Sequence, residues 1–274
     1  MPEQLLAIIA GLLLGSFLNV CIYRWPNDLS VMRPARSFCP GCEQQIAWFD
    51  NIPVLSYALL RGRCRSCQAP ISLRYPLVEV LTAVCFWIIV AQHGLSPLSL
   101  RNCVFAFILI GLIFSDFETM LLPDELTIGG TIIGLAFALW VPLADSTFAL
   151  AASVFGYSPN PRVASLGEAA LGAAFPAFAM WLMGFLFEKL RNKEGLGFGD
   201  VKMIAAIGAF TGLTGTLQTV ILASVAGSII GLIWIKVSRK PTDTYQPFGS
   251  FLGAAALATL IGGQNWFWRL FGGN

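Results

Sequence analysis

Four of the seven cysteines stand as two CxxC pairs, Cys39-Pro-Gly-Cys42 and Cys64-Arg-Ser-Cys67. Each pair reverses tightly enough to offer two thiolates to one ion, and the polar segment between them has the length of a zinc-ribbon module. Zn²⁺ favours four such sulfurs in a tetrahedron, so Cys39, Cys42, Cys64 and Cys67 are expected to hold a structural zinc. A redox pair and free thiols are the rival readings. The second set of candidates is carboxylates at the ends of apolar runs. Asp116 follows Ile113-Phe114-Ser115, and Asp200 closes Gly197-Phe198-Gly199-Asp200 ahead of a short apolar run. Carboxylates in or beside membrane helices are costly and therefore candidates for function. Two of them brought close cannot both ionise easily, so one keeps its proton. Such a pair suits peptide hydrolysis: the ionised member takes a proton from water and the protonated one polarises the scissile carbonyl. The glycines beside Asp200 would let an extended peptide backbone approach.

Plainer roles compete for the same residues. Asp200 could cap a helix, Asp116 could be an interfacial charge, and Asp124 reads as the N-cap of the following run. Glu118 and Glu125 read as solvated loop charges. Lys202 either snorkels to the interface or helps to hold the aspartate site. Glu79 either pairs with a basic residue or binds a substrate amine, and the sequence leaves that open. The sole histidine, His93, reads as an interfacial loop residue, which disfavours serine or cysteine protease chemistry with a histidine base. Cys21, Cys85 and Cys103 lie in apolar runs and read as packing residues.

The elements that carry these residues are long and apolar. The 274 residues are 56% hydrophobic and only 12% charged, with a mean hydropathy of +0.72. An ordinary soluble domain is roughly 25% charged. Crossing the hydrocarbon layer takes about 20 apolar residues in helical form. Runs at 5–23, 76–92, 100–115, 126–143, 166–187, 201–213, 217–237 and 250–263 predict an all-α polytopic membrane protein with about eight transmembrane helices. The run at 201–213 is short for a full crossing. No cleavable signal is expected in the first run. The expected domains are a first helix (1–23), a cytoplasmic four-cysteine zinc-binding domain (24–75) and a transmembrane core (76–274). About fifty polar residues cannot build a large core, and a metal would hold them together. Alternation places every Lys and Arg except Arg101, Arg162 and Arg269 on one side. By the positive-inside rule that side is cytoplasmic, so the N-terminus is periplasmic and both aspartates face the cytoplasm. The segment 144–165, with Tyr157-Ser-Pro-Asn-Pro161, reads as a turn-rich periplasmic connection.

Taken in order, these motifs resemble the type IV prepilin peptidase / N-methyltransferase family, the leader peptidases of pilus and type II secretion systems. The resemblance covers nearly the whole chain. It rests on Gly15-Ser-Phe-Leu-Asn-Val20, the paired CxxC motifs, Asn51-Ile-Pro-Val-Leu-Ser56 and Arg74-Tyr-Pro-Leu-Val-Glu79. It continues through Asp116 to Leu122-Pro123-Asp124, then Gly197-Phe-Gly-Asp-Val-Lys202 and Pro247-Phe-Gly-Ser250. It implies a GxGD-type aspartic endopeptidase that cuts the short basic leader of prepilins or pseudopilins at the cytoplasmic face of the bacterial inner membrane. It also implies methylation of the new N-terminus with S-adenosylmethionine, although no glycine-rich strand-to-helix fingerprint marks a site for that cofactor. Asp116 and Asp200 inherit the catalytic roles, and the four cysteines the metal-binding one. Prepilin substrates and membrane lipid are the expected partners, nucleic acid is not, and no oligomeric state follows. A proton-coupled transporter and a non-catalytic secretion-system scaffold with a zinc module are the alternative readings.

Overall fold

A computed structural model of the chain describes residues 1–34, 36–145, 147–191, 197–238 and 247–263. Among the described residues the structure is nearly all helical, with two isolated β-bridges in place of strands. The helices are α1 Pro2–Arg24, α2 Leu55–Leu59, α3 Arg74–His93, α4 Pro97–Thr119, α5 Asp124–Trp140, α6 Thr147–Val154, α7 Pro161–Arg191, α8 Phe198–Ser238 and α9 Phe248–Gly262. Five of them, α1, α3, α4, α7 and α8, are long and apolar enough to cross a membrane, and α9 is a shorter apolar helix. Lys193, Arg239, Lys240 and Arg269, which entered the charge argument, lie outside the described residues.

The chain divides into two compact units, Met1–Gly111 and Leu112–Asn274. In the first, α1 packs against α3 at small residues. A Cβ on Gly11 would lie 2.5 Å from Cα of Ala83, so only glycine permits this approach. Asn19 Nδ2 donates across the pair to the Tyr75 carbonyl at 3.0 Å. Between these helices lies the cysteine segment. Its entry is organised by Arg24, which is buried at the end of α1 and donates to the carbonyls of Ser30, Val31, Pro34 and Arg36.

In the second unit α7 packs against α8 more tightly still. A Cβ on Gly208 would stand 2.0 Å from the Gly172 carbonyl oxygen. Replacing Gly208 with Ala is therefore expected to force the helices apart, at a cost of about 3 kcal/mol or more. Gly129→Ala, where a Cβ meets nothing within 4 Å, should leave the melting temperature unchanged or raise it. Thermal unfolding of both variants in detergent checks the contrast, and equal melting temperatures would contradict it.

The backbone of α8 breaks at Gly212, whose φ of 72° and ψ of −174° leave the helical region. Straight, its 41 residues would run about 60 Å, twice the hydrocarbon thickness. The break lies near the boundary expected between the runs at 201–213 and 217–237. Two carboxylates receive the amides freed there. Glu168, fully buried on α7, accepts from Leu213 N at 3.2 Å and from Phe148 N at 2.7 Å. Asp145 accepts from the Thr214 amide and hydroxyl.

Several sequence expectations need correction. The segment 144–165 is not simply turns, since α6 forms within it and packs on α7. Asp124 is not a cap: Pro123 occupies the N-cap position, which makes no side-chain cap bond, and Asp124 is already the first helical residue. It pairs instead with Lys202. Lys202 thus holds the start of α5 and lies over the Phe198 ring, 5.6 Å from its centroid. The Glu79 carboxylate accepts from the Val54 amide at 2.7 Å and from the Ser16 hydroxyl.

Candidate functional site

Asp116 lies in the last turn of α4, and Asp200 in the first turn of α8. Both are buried, with 4% and 6% of their surface exposed. Eighty-odd residues separate them in sequence, yet both reach the first turn of α9. A Cβ placed on Gly249 would stand 3.0 Å from Cγ of Asp116, 3.1 Å from its Oδ2 and 3.2 Å from Oδ1 of Asp200. The two carboxylates therefore converge on one point where the chain has only a hydrogen. Neither is a solvated interfacial charge.

The surroundings of the two differ. Oδ2 of Asp116 accepts from the Ser250 amide at 2.6 Å and from the Ser250 hydroxyl at 2.9 Å. That amide belongs to the first turn of α9, where backbone N–H groups lack helical partners and favour an anion. Among the described residues no side chain donates to Asp200. Ser250 Oγ also bonds the Ile113 carbonyl at 3.0 Å, tying α9 to the turn that carries Asp116. Gly199 faces Leu122, whose Cδ1 would be 3.2 Å from an added Cβ. Sequence reasoning recognised the Pro247-Phe-Gly-Ser250 motif without its purpose; a small residue followed by a hydroxyl at a helix start was the available signal.

The empty position at Gly249 is open to test. Gly249→Ala inserts a methyl between the carboxylates, at a distance that requires one of them to move. A displacement near 1 Å can cost about 10²-fold in rate. The expected result is a fall of about 10- to 100-fold in whatever turnover the pair supports, with folding intact by size-exclusion chromatography. Unchanged turnover would mean that the pair tolerates separation.

The four cysteines are brought together in the first unit. Their sulfurs all lie within 4.8 Å of one another, and Cys39 and Cys67 Sγ are 3.8 Å apart. A zinc with bonds of about 2.3 Å to tetrahedral sulfurs spaces them about 3.8 Å apart, so the cluster could hold zinc. The two halves are built alike. Phe38 bridges Gln45 and Arg63 bridges Pro70. Cys39 N donates to the Gln44 carbonyl and Cys64 N to the Ala69 carbonyl. The residue after each second cysteine, Glu43 or Gln68, takes a positive φ of 57° or 58°. Amides of Cys67 and Ser66 draw the Cys64 thiol down to about 7, favouring the thiolate that binds metal. The Cys42 thiol goes the other way, up to about 11: the Gln44 amide pulls it down, but burial and hydrogen bonds shared with the Cys67 and Cys39 thiols outweigh that.

Residues 9–93 match the Bacterial Peptidase A24 N-terminal domain, and residues 103–232 match the Type IV leader peptidase family. The chain is 35% identical to the Prepilin leader peptidase/N-methyltransferase of Burkholderia pseudomallei (strain 1026b), over 97% of this chain and 87% of that protein. The chain belongs to the type IV leader peptidase family. Relatives carrying that same name include one from Neisseria gonorrhoeae, 36% identical over 90% of this chain and 86% of its own length. Another, from Pseudomonas putida, is 33% identical over 94% and 90%. No solved structure is significantly similar to the chain. Within the family match, the region 103–232 contains both aspartates, whereas the cysteine cluster falls in the N-terminal match.

Proposed function

We propose that this chain is a bifunctional enzyme of the bacterial inner membrane that removes the basic leader of type IV prepilins or type II secretion pseudopilins and then methylates the new N-terminus. Its relatives' names supply the two activities. The observation that carries the peptidase assignment is the meeting of Asp116 and Asp200 at Gly249.

In this reading the two hydrogen bonds from Ser250 hold Asp116 as the carboxylate, because donors to an anion favour its charged form. Asp200 keeps the shared proton. Asp116 takes a proton from water as the oxygen attacks the scissile carbonyl, and Asp200 gives its proton to the carbonyl oxygen. Collapse of the tetrahedral species passes the proton on Asp116 to the leaving amine, returns the hydroxyl proton to Asp200, and separates leader from mature chain.

About eight crossing helices, counting both halves of α8 together with α5 and α9, put the N-terminus in the periplasm and the aspartates at the cytoplasmic face. There the leader's basic residues lie on the side that the positive-inside rule favours. Cys39, Cys42, Cys64 and Cys67 would hold a structural zinc that fixes the 24–75 domain, while residues 76–274 form the transmembrane core. S-adenosylmethionine would supply the methyl group, a role that comes with the relatives' name; no residue of this chain is assigned to it.

The test is incubation of the purified intact protein, in lipid, with a prepilin and S-adenosylmethionine, followed by mass spectrometry of the product. Loss of the leader and gain of one methyl mass are expected. A prepilin left whole under conditions where the protein is folded and metal-loaded would overturn the assignment.

A further inference from the structure

The motif Asn51-Ile-Pro-Val-Leu-Ser56 has no part in the chemistry above, yet it is held with unusual care. Val54 adopts φ 60° and ψ −46°, a conformation that costs a β-branched residue energy and persists only where its surroundings enforce it. What enforces it is Glu79, whose Oε2 accepts the Val54 amide at 2.7 Å while the carboxylate is itself fixed by Ser16 of α1. On the opposite flank, Asp50 receives two bonds from Arg65, at 2.7 and 2.6 Å. Arg65 lies within the second CxxC and holds the Asp50 carboxyl below its usual range. Ser56 closes the loop by donating to the Phe49 carbonyl and accepting from Ile52 N.

Glu79 fixes the depth. Helix α3 has 20 residues and is about 30 Å long, only just the thickness of the hydrocarbon layer. Its first residues must then lie at the layer's edge, and Glu79 Cα lies about 7.5 Å further in. Side chains lean toward the helix N-terminus, which brings the Glu79 carboxylate, and the Val54 amide bound to it, level with the first turns of α3. The loop therefore descends beside a crossing helix to the boundary of the bilayer.

At that level the segment exposes apolar side chains. Trp48 is 78% exposed and Leu59 74%, and Phe49, Ile52 and Leu55 are also exposed. Leu55 and Leu59 share one face of α2. Exposed arginines of the same domain, Arg33, Arg36, Arg61 and Arg63, supply the complementary charge for anionic headgroups. Exposed apolar and basic side chains in one segment are the composition of an interfacial one.

We infer that residues 48–59 form a wedge inserted into the headgroup boundary of an anionic bilayer, latched at depth by Glu79 and tied to the cysteine cluster by Arg65. This rests on the reading of α1 and α3 as membrane-crossing helices. The occupant of the exposed face is lipid, delivered by the geometry that anchors both ends of the domain to the membrane.

The experiment uses the full chain in nanodiscs of phosphatidylethanolamine and phosphatidylglycerol, carrying the photo-crosslinker p-benzoylphenylalanine in place of Leu55, Leu59, Gln68 or Val84. Val84 is an exposed residue of α3 and reports on the membrane reading; Gln68 is an exposed residue at the cysteine cluster. Lipid adducts at 55, 59 and 84 and none at 68 are expected, and Glu79→Ala should lower the adduct yield at 55 several-fold while leaving 84 unchanged. Adducts at 84 alone would overturn the wedge. No adduct at 84 would overturn the crossing helix on which it rests, and protein–protein adducts at 55 and 59 would replace lipid with a second copy of the chain.

Discussion

Asn in place of Asp116, and separately in place of Asp200, is expected to lower leader cleavage by about 10³-fold or more while leaving the protein folded. Asn is nearly isosteric with Asp. At position 116 its amide oxygen can still accept the Ser250 amide and hydroxyl, which bond Oδ2 at 2.6 and 2.9 Å. Packing of α4 on α9 should therefore survive. What is lost is the basic oxygen that takes a proton from water in the proposed mechanism. At position 200 the loss is of a carboxylic acid able to protonate the scissile carbonyl. In the proposed mechanism the pair works as a unit, so the double variant should be little slower than either single one. Rates by mass spectrometry, with circular dichroism as the folding control, decide the matter. A folded single variant that still cuts within tenfold of the parent would remove that residue from the chemistry.

Loss of metal is expected to have the second large effect, confined to the cysteine domain. Between α1 and α3, Cys39 and Ser56 are the only buried residues among those described. So small a buried set cannot hold roughly fifty residues in one arrangement. Apparent zinc-binding energies of about 10–16 kcal/mol are known for small structural sites and act as folding energy. Cys42→Ser or Cys67→Ser should therefore release the ion and open the segment between Arg36 and Leu73 to protease. The helices of the second unit should stay resistant. Zinc content by mass spectrometry, read beside limited proteolysis of the membrane-embedded protein, tests both halves. A parent protein with no bound zinc, or serine variants as resistant as the parent, would show that Arg24 and the Asp50–Arg65 pair suffice.

The sequence was most informative where chemistry is local. The cysteine cluster was legible because each CxxC pair lies within four residues, and the two pairs could serve one ion only by coming together. The aspartates were legible as types at the ends of apolar runs. Their convergence was not, since it depends on three helices and on a serine 134 residues from Asp116. Asp124 was misread because Pro123 takes the cap position, a one-residue shift that helix-start signals do not resolve. Helix α6 was hidden by the proline- and serine-rich stretch that follows it. The role of Glu168 was not legible, because its partners, Phe148 and Leu213, offer backbone amides and leave no mark in side-chain identity.

The burial of Glu168 bears on how the chain is made. Helix α7 leaves the ribosome before α8, and the Leu213 amide that Glu168 Oε1 accepts comes 45 residues later. At about 5–20 residues per second, synthesis leaves that oxygen waiting for seconds. A carboxylate without its partners is costly in an apolar surround. During that interval α7 should linger beside the insertion machinery or at the aqueous edge, entering the lipid only as α8 arrives. Insertion of these two helices is thus expected to be a joint event, and nascent chains stalled before Leu213 should be unusually good clients for membrane quality-control proteases.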